Sequence, residues 1–158
     1  MPLHELLFSK RSKAVAVVGA TALAFAVAGP APAAYAGPKC GNLGCSSTVN
    51  DSSVGATAYF NWCRGWDLTG ATTTTEPTCK SDDVPQKTEW LSPGEHTPWS
   101  QDWDAFRVDA GWCYKVSFDI PGPINDDETY DRRGKSALWV KVGDEANAHI
   151  VRQSSSSC

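Results

Sequence analysis

Two histidines outside the N-terminal segment, His96 and His149, have the side chain best suited to proton transfer near neutral pH. His96 lies close in sequence to Ser92, Ser100 and Asp102, so the three residue types of a Ser–His–Asp triad are present. No GxSxG turn or other hydrolase motif surrounds either serine. We therefore expect no catalytic residue, no cofactor and no enzymatic activity.

Two acidic groups have the oxygen donors that calcium prefers. One is formed by Asp102 and Asp104, and the other by Asp126, Asp127 and Glu128. Neither group has the Asp-x-Asp-x-Asp-Gly spacing of an EF-hand loop. Since runs of charge usually lie at the surface, we expect solvated acidic segments and no metal site, with a structural calcium ion as the alternative.

All six cysteines lie in the C-terminal three quarters of the chain, which contains no CxxC zinc motif. An even number of cysteines in an exported chain predicts disulfides, and six allow 15 pairings. We expect two local bridges and one that ties the C-terminus to the centre of the fold, namely Cys40–Cys45, Cys63–Cys79 and Cys113–Cys158.

The first 36 residues have the three parts of a secretory signal peptide. Lys10, Arg11 and Lys13 precede an apolar run at residues 14–27, and an Ala-Tyr-Ala site ends at Ala36. The apolar run is shorter than the roughly 20 residues of a membrane span. We expect cleavage after Ala36, secretion to the extracellular space, a flexible N-terminal arm at residues 37–53 and a single domain at residues 54–158.

The charge of the exported part excludes two classes of partner. Removal of residues 1–36 takes away three of the 14 basic residues and one of the 18 acidic ones, so the formal net charge changes from −4 to −6. A chain of this charge lacks the basic face that binds nucleic-acid backbones or anionic membranes.

The clearest predicted strand covers residues 112–120, where apolar and polar residues alternate strictly. Residues 105–108 alternate as well, and Asp109-Ala110-Gly111 lies between the two runs. Because Asp and Gly favour tight turns, we expect these runs to pair as a hairpin. The face expected to be buried consists of Trp112, Tyr114, Val116, Phe118 and Ile120.

Several other short segments favour strands, and no stretch has helical periodicity with caps. The segments are residues 56–63, 87–91, 136–142 and 148–152, and the threonine run at residues 72–75 is a candidate for a short edge strand. A polar loop is expected at residues 64–86, a Pro-Gly turn at residues 92–95 and a charged loop at residues 125–134. Six or seven strands predict an all-β fold, a small disulfide-stapled antiparallel β-sandwich or barrel.

The seven tryptophans are the best indication of a binding surface. Trp62 and Trp112 fall in predicted strands and are expected to fill the core. The candidate interface residues lie in polar segments or on the polar face of a strand: Trp66, Trp99, Trp103 and Trp139. The alternative is that these side chains complete the core of a small domain.

The central block, LSPGEHTP at residues 91–98 and QDWDAFRVDAGWCY at residues 101–114, resembles small secreted proteins of actinobacteria. Among them it is similar to the adaptor subunit of umbrella toxin particles. That resemblance implies a non-enzymatic protein that bridges a lectin subunit and a large toxin subunit. It also implies docking through an added strand, for which the segment beginning at Gly37 is the candidate.

These observations predict a secreted, non-catalytic protein-binding module, an adaptor in an exported antibacterial toxin complex. One alternative is a carbohydrate- or cell-wall-binding module that uses Trp99, Trp103 and Trp139. Another is a small enzyme inhibitor that presents the loop closed by Cys63 and Cys79.

Overall fold

The computed structural model describes Cys40 and residues 44–81, 83–122 and 124–158, except the side chains of Ile124 and Asn125. The predicted signal peptide, the cleavage site after Ala36 and the start of the predicted arm lie outside the described residues. Among the described residues, no helix has the length and apolar character needed to cross a membrane.

The described chain forms nine strands in two sheets, so the all-β prediction is confirmed. In chain order the strands are β1 (Ser47–Val49), β2 (Ala56–Tyr59), β3 (Thr72–Thr73), β4 (Thr88–Leu91), β5 (Ala105–Val108), β6 (Cys113–Ile120), β7 (Ile124–Asp131), β8 (Leu138–Lys141) and β9 (Asn147–Ser154). The four-stranded sheet has the order β1-β9-β6-β7, and the five-stranded sheet has the order β3-β8-β5-β2-β4. All neighbours are antiparallel except β1 and β9.

The main core lies between the two sheets. Alternation along β6 places Tyr114, Val116 and Phe118 in this core, as predicted, while Lys115 and Ser117 are half-buried on the other face. The five-stranded sheet contributes Phe106, Val108 and Val140, among others. Apolar faces of two sheets meeting in one core make a β-sandwich.

The predicted hairpin between residues 105–108 and 112–120 is wrong. β5 pairs with β2 and β8, whereas β6 pairs with β7 and β9, so the connection crosses from one sheet to the other. A tight turn closes it, with the Trp112 amide donating to the Asp109 carbonyl at 3.2 Å. Each strand has an apolar face, and these faces become buried when the strands stack instead of pairing edge to edge. The rings of Phe106 and Phe118, 6.3 Å apart, show this stacking.

The predicted charged loop at residues 125–134 is also wrong over most of its length. Residues 124–131 form β7, which pairs with β6 from Cys113–Asp131 to Ile120–Ile124. Charged side chains predict exposure to solvent, and exposed polar segments are most often loops. The acids of β7 are exposed here because β7 is an edge strand, and charged side chains on an edge discourage pairing with other chains.

Part of the predicted flexible arm is built into the sandwich. Within residues 37–53, Ser46, Thr48 and Asn50 are fully buried, and β1 lies parallel to β9. Hydrogen bonds compensate for much of this burial, although Oγ1 of Thr48 has no hydrogen-bond partner among the described residues. The Thr48 amide donates to Oγ1 of Thr97 at 3.0 Å, and Nδ2 of Asn50 donates to the Leu91 carbonyl at 3.0 Å.

The three predicted disulfides are confirmed. Cys40–Cys45, Cys63–Cys79 and Cys113–Cys158 have Cα–Cα distances of 4.5, 5.0 and 5.3 Å. These distances suit a disulfide. The third bridge fastens the last residue of the chain to the first residue of β6.

The edge strand predicted in the threonine run, the short strand predicted at residues 87–91 and the Pro-Gly turn are present. β3 and β4 are the two outer strands of the five-stranded sheet. In the turn after β4, Gly94 has φ +81°, and the Glu95 amide donates to the Ser92 carbonyl at 3.0 Å. A positive φ at the third position of the turn is the feature that requires glycine there.

Candidate functional site

The four tryptophans predicted to form an interface divide into two pairs. Trp66 is 79% exposed and Trp99 is 55% exposed, whereas Trp103 is 3% exposed and Trp139 is 8% exposed. The prediction that Trp103 and Trp139 lie on a surface is therefore wrong.

Trp139 is buried on the outer face of the five-stranded sheet. Alternation along β8 places it opposite the main core, as predicted, but the long segment after Trp62 covers this face. The Trp139 ring meets Tyr59 edge-on at 6.2 Å, and Oη of Tyr59 donates to Oε1 of Glu76 in the covering segment at 2.9 Å. The predicted polar face is thus a second, smaller core.

Trp103 completes a third apolar cluster with Ala58, Leu91 and Phe60. Its ring packs edge-on against Phe60 at 5.4 Å, and its amide donates to the Ser46 carbonyl at 3.1 Å. Trp62 is 2% exposed and Trp112 is half-buried against the main core, in agreement with the roles predicted for them.

The most exposed large apolar side chains occur together on residues 64–70, which we call the Trp66 loop. Trp66 is 79% exposed and Leu68 is 86% exposed. Large apolar side chains this close in sequence and this exposed are typical of interaction sites.

Hydrogen bonds fix the Trp66 loop to the sheet below it. Nε1 of Trp62 donates to Oδ2 of Asp67 at 2.7 Å, and the Gly70 amide donates to the Lys141 carbonyl at 3.0 Å. Oγ1 of Thr69 accepts from the Gly143 amide at 3.1 Å. These contacts hold the backbone while Trp66 points to solvent.

A disulfide and a close approach at a glycine reinforce this arrangement. The Cys63–Cys79 disulfide closes the longer segment that contains the loop. At Gly143 the loop approaches so closely that an added Cβ would lie 2.1 Å from Oγ1 of Thr69. A glycine is therefore needed there for the loop to pack in this position.

A cavity of about 240 Å³ lies beside the Trp66 loop. Trp66 and Leu68 form its apolar part, while Lys141 and Asp144 add charges of opposite sign. An apolar surface with a few charged groups at its margin suits recognition of a protein side chain.

Three carboxylates meet at the end of the five-stranded sheet where β5 begins and β8 ends. Asp102 and Asp104 precede β5, and Asp144 follows β8; one carboxylate oxygen from each lies within 4.8 Å of the others. The backbone brings them together, since the Val142 amide donates to the Asp104 carbonyl at 2.7 Å. We call these three residues the carboxylate cluster.

Asp104 is the buried member of the carboxylate cluster, at 3% exposure. Its Oδ2 accepts from the Trp62 amide at 3.3 Å, and its Oδ1 has no hydrogen-bond partner among the described residues. Burial raises the pKa of Asp104 to about 7, while the positive charge of Lys141 acts in the opposite direction.

The acids of β7 do not join such a cluster. Asp126, Asp127 and Glu128 are exposed on the edge strand, and none of them belongs to the carboxylate cluster. This agrees with the expectation of a solvated acidic segment there.

His96, Asp102 and His149 form hydrogen bonds with residues outside the Ser–His–Asp set considered from the sequence. Nδ1 of His96 bonds to the Thr97 carbonyl at 2.8 Å, and the His96 ring stacks on Trp99 at 4.3 Å. Oδ1 of Asp102 accepts from the amide and the hydroxyl of Ser46, the amide at 2.8 Å. His149 is half-buried and bonds through Nδ1 to Oδ2 of Asp51 at 2.7 Å.

Sequence reasoning missed four residues of these surfaces. Leu68 and Trp90, which is 60% exposed on β4, were not recognised, although an apolar residue inside a polar loop is a usable signal for Leu68. Lys141 and Asp144 were missed because their positions depend on how β5 and β8 pair.

Comparison with known proteins identifies no relative: no protein-family model, no curated protein and no solved structure matches the chain. Its function has to be inferred from the residues and their geometry.

Proposed function

We propose that the protein is a secreted, non-catalytic module that binds another protein through the Trp66 loop. The observation that carries this proposal is the exposure of Trp66 and Leu68 on a backbone that is fixed at both ends. Trp is the residue most enriched at the energetic centres of protein interfaces.

A fixed loop binds more tightly than a mobile one because less conformational entropy is lost on association. The disulfide at Cys63 and the hydrogen bond from Trp62 to Asp67 remove that freedom before a partner arrives. A partner that covers Trp66 and Leu68 gains the hydrophobic free energy of two large side chains that folding has left in water.

Three disulfides support the proposal of export, since disulfides persist in oxidising compartments. The resemblance of the central block to umbrella toxin adaptors identifies the partners to test first, which are a secreted lectin subunit and a large toxin subunit. In that role the Trp66 loop is the docking surface for one of them.

Affinity purification of the tagged protein from the culture supernatant of its source organism tests the proposal. The wild-type protein should retain a defined secreted partner at stoichiometric yield. Trp66→Ala should weaken that complex by about 2 kcal/mol or more, roughly 30-fold in Kd, without lowering the melting temperature.

Trp99→Ala is the matched control, because Trp99 is also exposed but stacks on His96 outside the Trp66 loop. It should leave the complex intact. A partner that binds Trp66→Ala as tightly as wild type would contradict the assignment of the surface. Recovery of the wild-type protein alone, at concentrations where secreted complexes persist, would contradict the protein-binding function.

Enzyme inhibition is a second candidate, favoured by one observation. Trp66 and Leu68 protrude from a segment closed by a disulfide between residues 16 apart, as in an inhibitor that presents a constrained loop. Inhibition of a secreted protease at a one-to-one ratio, abolished by Leu68→Ala, would support this function.

The sugar-binding alternative loses most of its predicted surface. Trp103 and Trp139 are buried, so only Trp99 of the three proposed tryptophans is available for stacking on a sugar.

A further inference from the structure

Asp144 of the carboxylate cluster also lines the cavity beside the Trp66 loop, but Asp102 and Asp104 do not, and the proposed protein interface leaves the grouping of the three acids unexplained. Its acids come from two separate parts of the chain, the segment before β5 and the turn after β8. Folding holds three groups of like charge together, an arrangement that is unfavourable unless a proton or a cation lies between them. We propose that Asp102, Asp104 and Asp144 bind a calcium ion.

The distances within the cluster fit one ion. Calcium binds oxygen at roughly 2.3–2.6 Å, so two oxygens on opposite sides of the ion are roughly 4.6–5.2 Å apart. The three carboxylate oxygens lie within 4.8 Å of one another. All three can therefore contact one calcium ion with little movement of the backbone.

The unpartnered oxygen of Asp104 is an independent indication of a ligand. Asp104 is 3% exposed, and its Oδ1 has no hydrogen-bond partner among the described residues. Buried carboxylate oxygens normally accept a hydrogen bond or bind a cation. The other oxygen of Asp104 is occupied by the Trp62 amide, which orients the carboxylate.

The neighbouring basic side chains do not neutralise the carboxylate cluster. Within the part of the chain that the structure describes, no basic side chain forms an ion pair with Asp102, Asp104 or Asp144. Lys141 forms no such ion pair, but its positive charge acts on Asp104 and lowers the pKa of that carboxyl. The net charge of these four side chains, when all are ionised, is still negative.

The chemistry of the ligands selects the type of cation. Three carboxylates without sulfur or imidazole suit a hard cation such as calcium or magnesium better than zinc. Asp144 is exposed, so water can complete the six to eight oxygen ligands of calcium. Magnesium demands shorter and more regular contacts, so calcium is the preferred ion.

An ion at this position would connect three parts of the fold. Asp102 is bonded to Ser46 next to β1, Asp104 is bonded to Trp62 next to the Trp66 loop, and Asp144 begins the turn into β9. The ion would therefore stabilise the folded state, because the unfolded chain does not hold the three acids together.

Isothermal titration calorimetry of the disulfide-bonded protein, stripped of divalent ions, is the test. Calcium chloride should bind with one site and a Kd in the range of roughly 10⁻⁴–10⁻³ M typical of extracellular modules. Calcium should also raise the melting temperature. Asp144→Asn should weaken binding by roughly 10-fold or more, since it removes a direct ligand from an exposed position.

Asp127→Asn is the matched control, because it removes the same charge from the exposed edge strand β7. It should bind calcium as wild type does. Equal weakening by the two substitutions would show that calcium binding depends only on net charge and would overturn the proposal. The absence of binding at a calcium concentration roughly ten times the weaker limit of the expected Kd range would overturn it as well.

Amide chemical shifts locate the ion without relying on a variant. Calcium should shift the amides of Ser46 and Trp62, which donate to Asp102 and Asp104, in a saturable manner. Shifts confined to the amides of Asp126, Asp127 and Glu128 would place the ion on the edge strand and overturn the assignment.

Discussion

The indole Nε1 of Trp62 donates a hydrogen bond of 2.7 Å to Oδ2 of Asp67. Trp62 is buried in the smaller core beside Tyr59 and Trp139, whereas Asp67 lies between the two most exposed apolar residues of the Trp66 loop. One hydrogen bond thus connects the packing of the core to the presentation of the proposed binding surface.

Asp67→Ala should loosen the Trp66 loop, because the buried indole N–H loses its acceptor. An unsatisfied buried donor costs about 1–3 kcal/mol, which urea denaturation can measure. Asp67→Asn retains an acceptor oxygen and should be less destabilising. Equal stability of the alanine variant and wild type would contradict a structural role for this hydrogen bond.

Phe118→Ala should lower the free energy of unfolding by about 3–5 kcal/mol, since Phe118 is fully buried between the sheets. Ser117→Ala on the opposite face of β6 is the control and should change stability by about 0.5 kcal/mol or less. Chemical denaturation of both variants checks the assignment of the faces. Similar losses in the two proteins would contradict it.

The three disulfides should contribute unequally to stability. Their sequence separations are 45, 16 and 5 for Cys113–Cys158, Cys63–Cys79 and Cys40–Cys45. The entropy of loop closure in the unfolded chain gives roughly 4, 3 and 2 kcal/mol in that order. Thermal unfolding of the three paired Cys→Ala variants should follow this order, and the reverse order would show that native contacts outweigh chain entropy.

Stability should depend on pH through Asp104 in buffer without divalent cations. Burial raises its pKa from 3.8 to about 7, so the folded state holds the proton more tightly than the unfolded state does. The stabilisation that protonated Asp104 adds to the free energy of unfolding is therefore complete below pH about 4 and is lost as the pH rises towards about 7. The loss is no more than about 1.4 kcal/mol per pH unit.

Asp104→Asn should remove this slope, because the amide does not titrate. Urea denaturation of wild type and variant across the same pH range isolates the contribution of Asp104 from those of other carboxylates. Parallel stability curves for the two proteins would contradict the raised pKa.

Some elements could be predicted because the signal is local. The burial of Tyr114, Val116 and Phe118 follows from alternation within β6, and the turn at Gly94 follows from two adjacent residues. The disulfide pairs were also predicted correctly, since two of them join cysteines that are close in sequence.

Elements that depend on distant contacts were predicted less well. The turn after Val108 is compatible with a hairpin or with a crossing between sheets, and only the partners of β5 and β6 distinguish them. β7 was missed because an edge strand tolerates acids that a central strand does not.

For the candidate sites, the residue types along the chain identified Trp66 as exposed and the six cysteines as paired. By itself the sequence determined the all-β class, the alternation of β6 and the disulfide framework, since these follow from neighbouring residues and cysteine spacing. Only the tertiary structure decided that Trp139 is buried and that Asp144 meets Asp104. The physical reason is that burial and charge proximity depend on which distant segments cover or pair with a strand, and no local pattern specifies those partners.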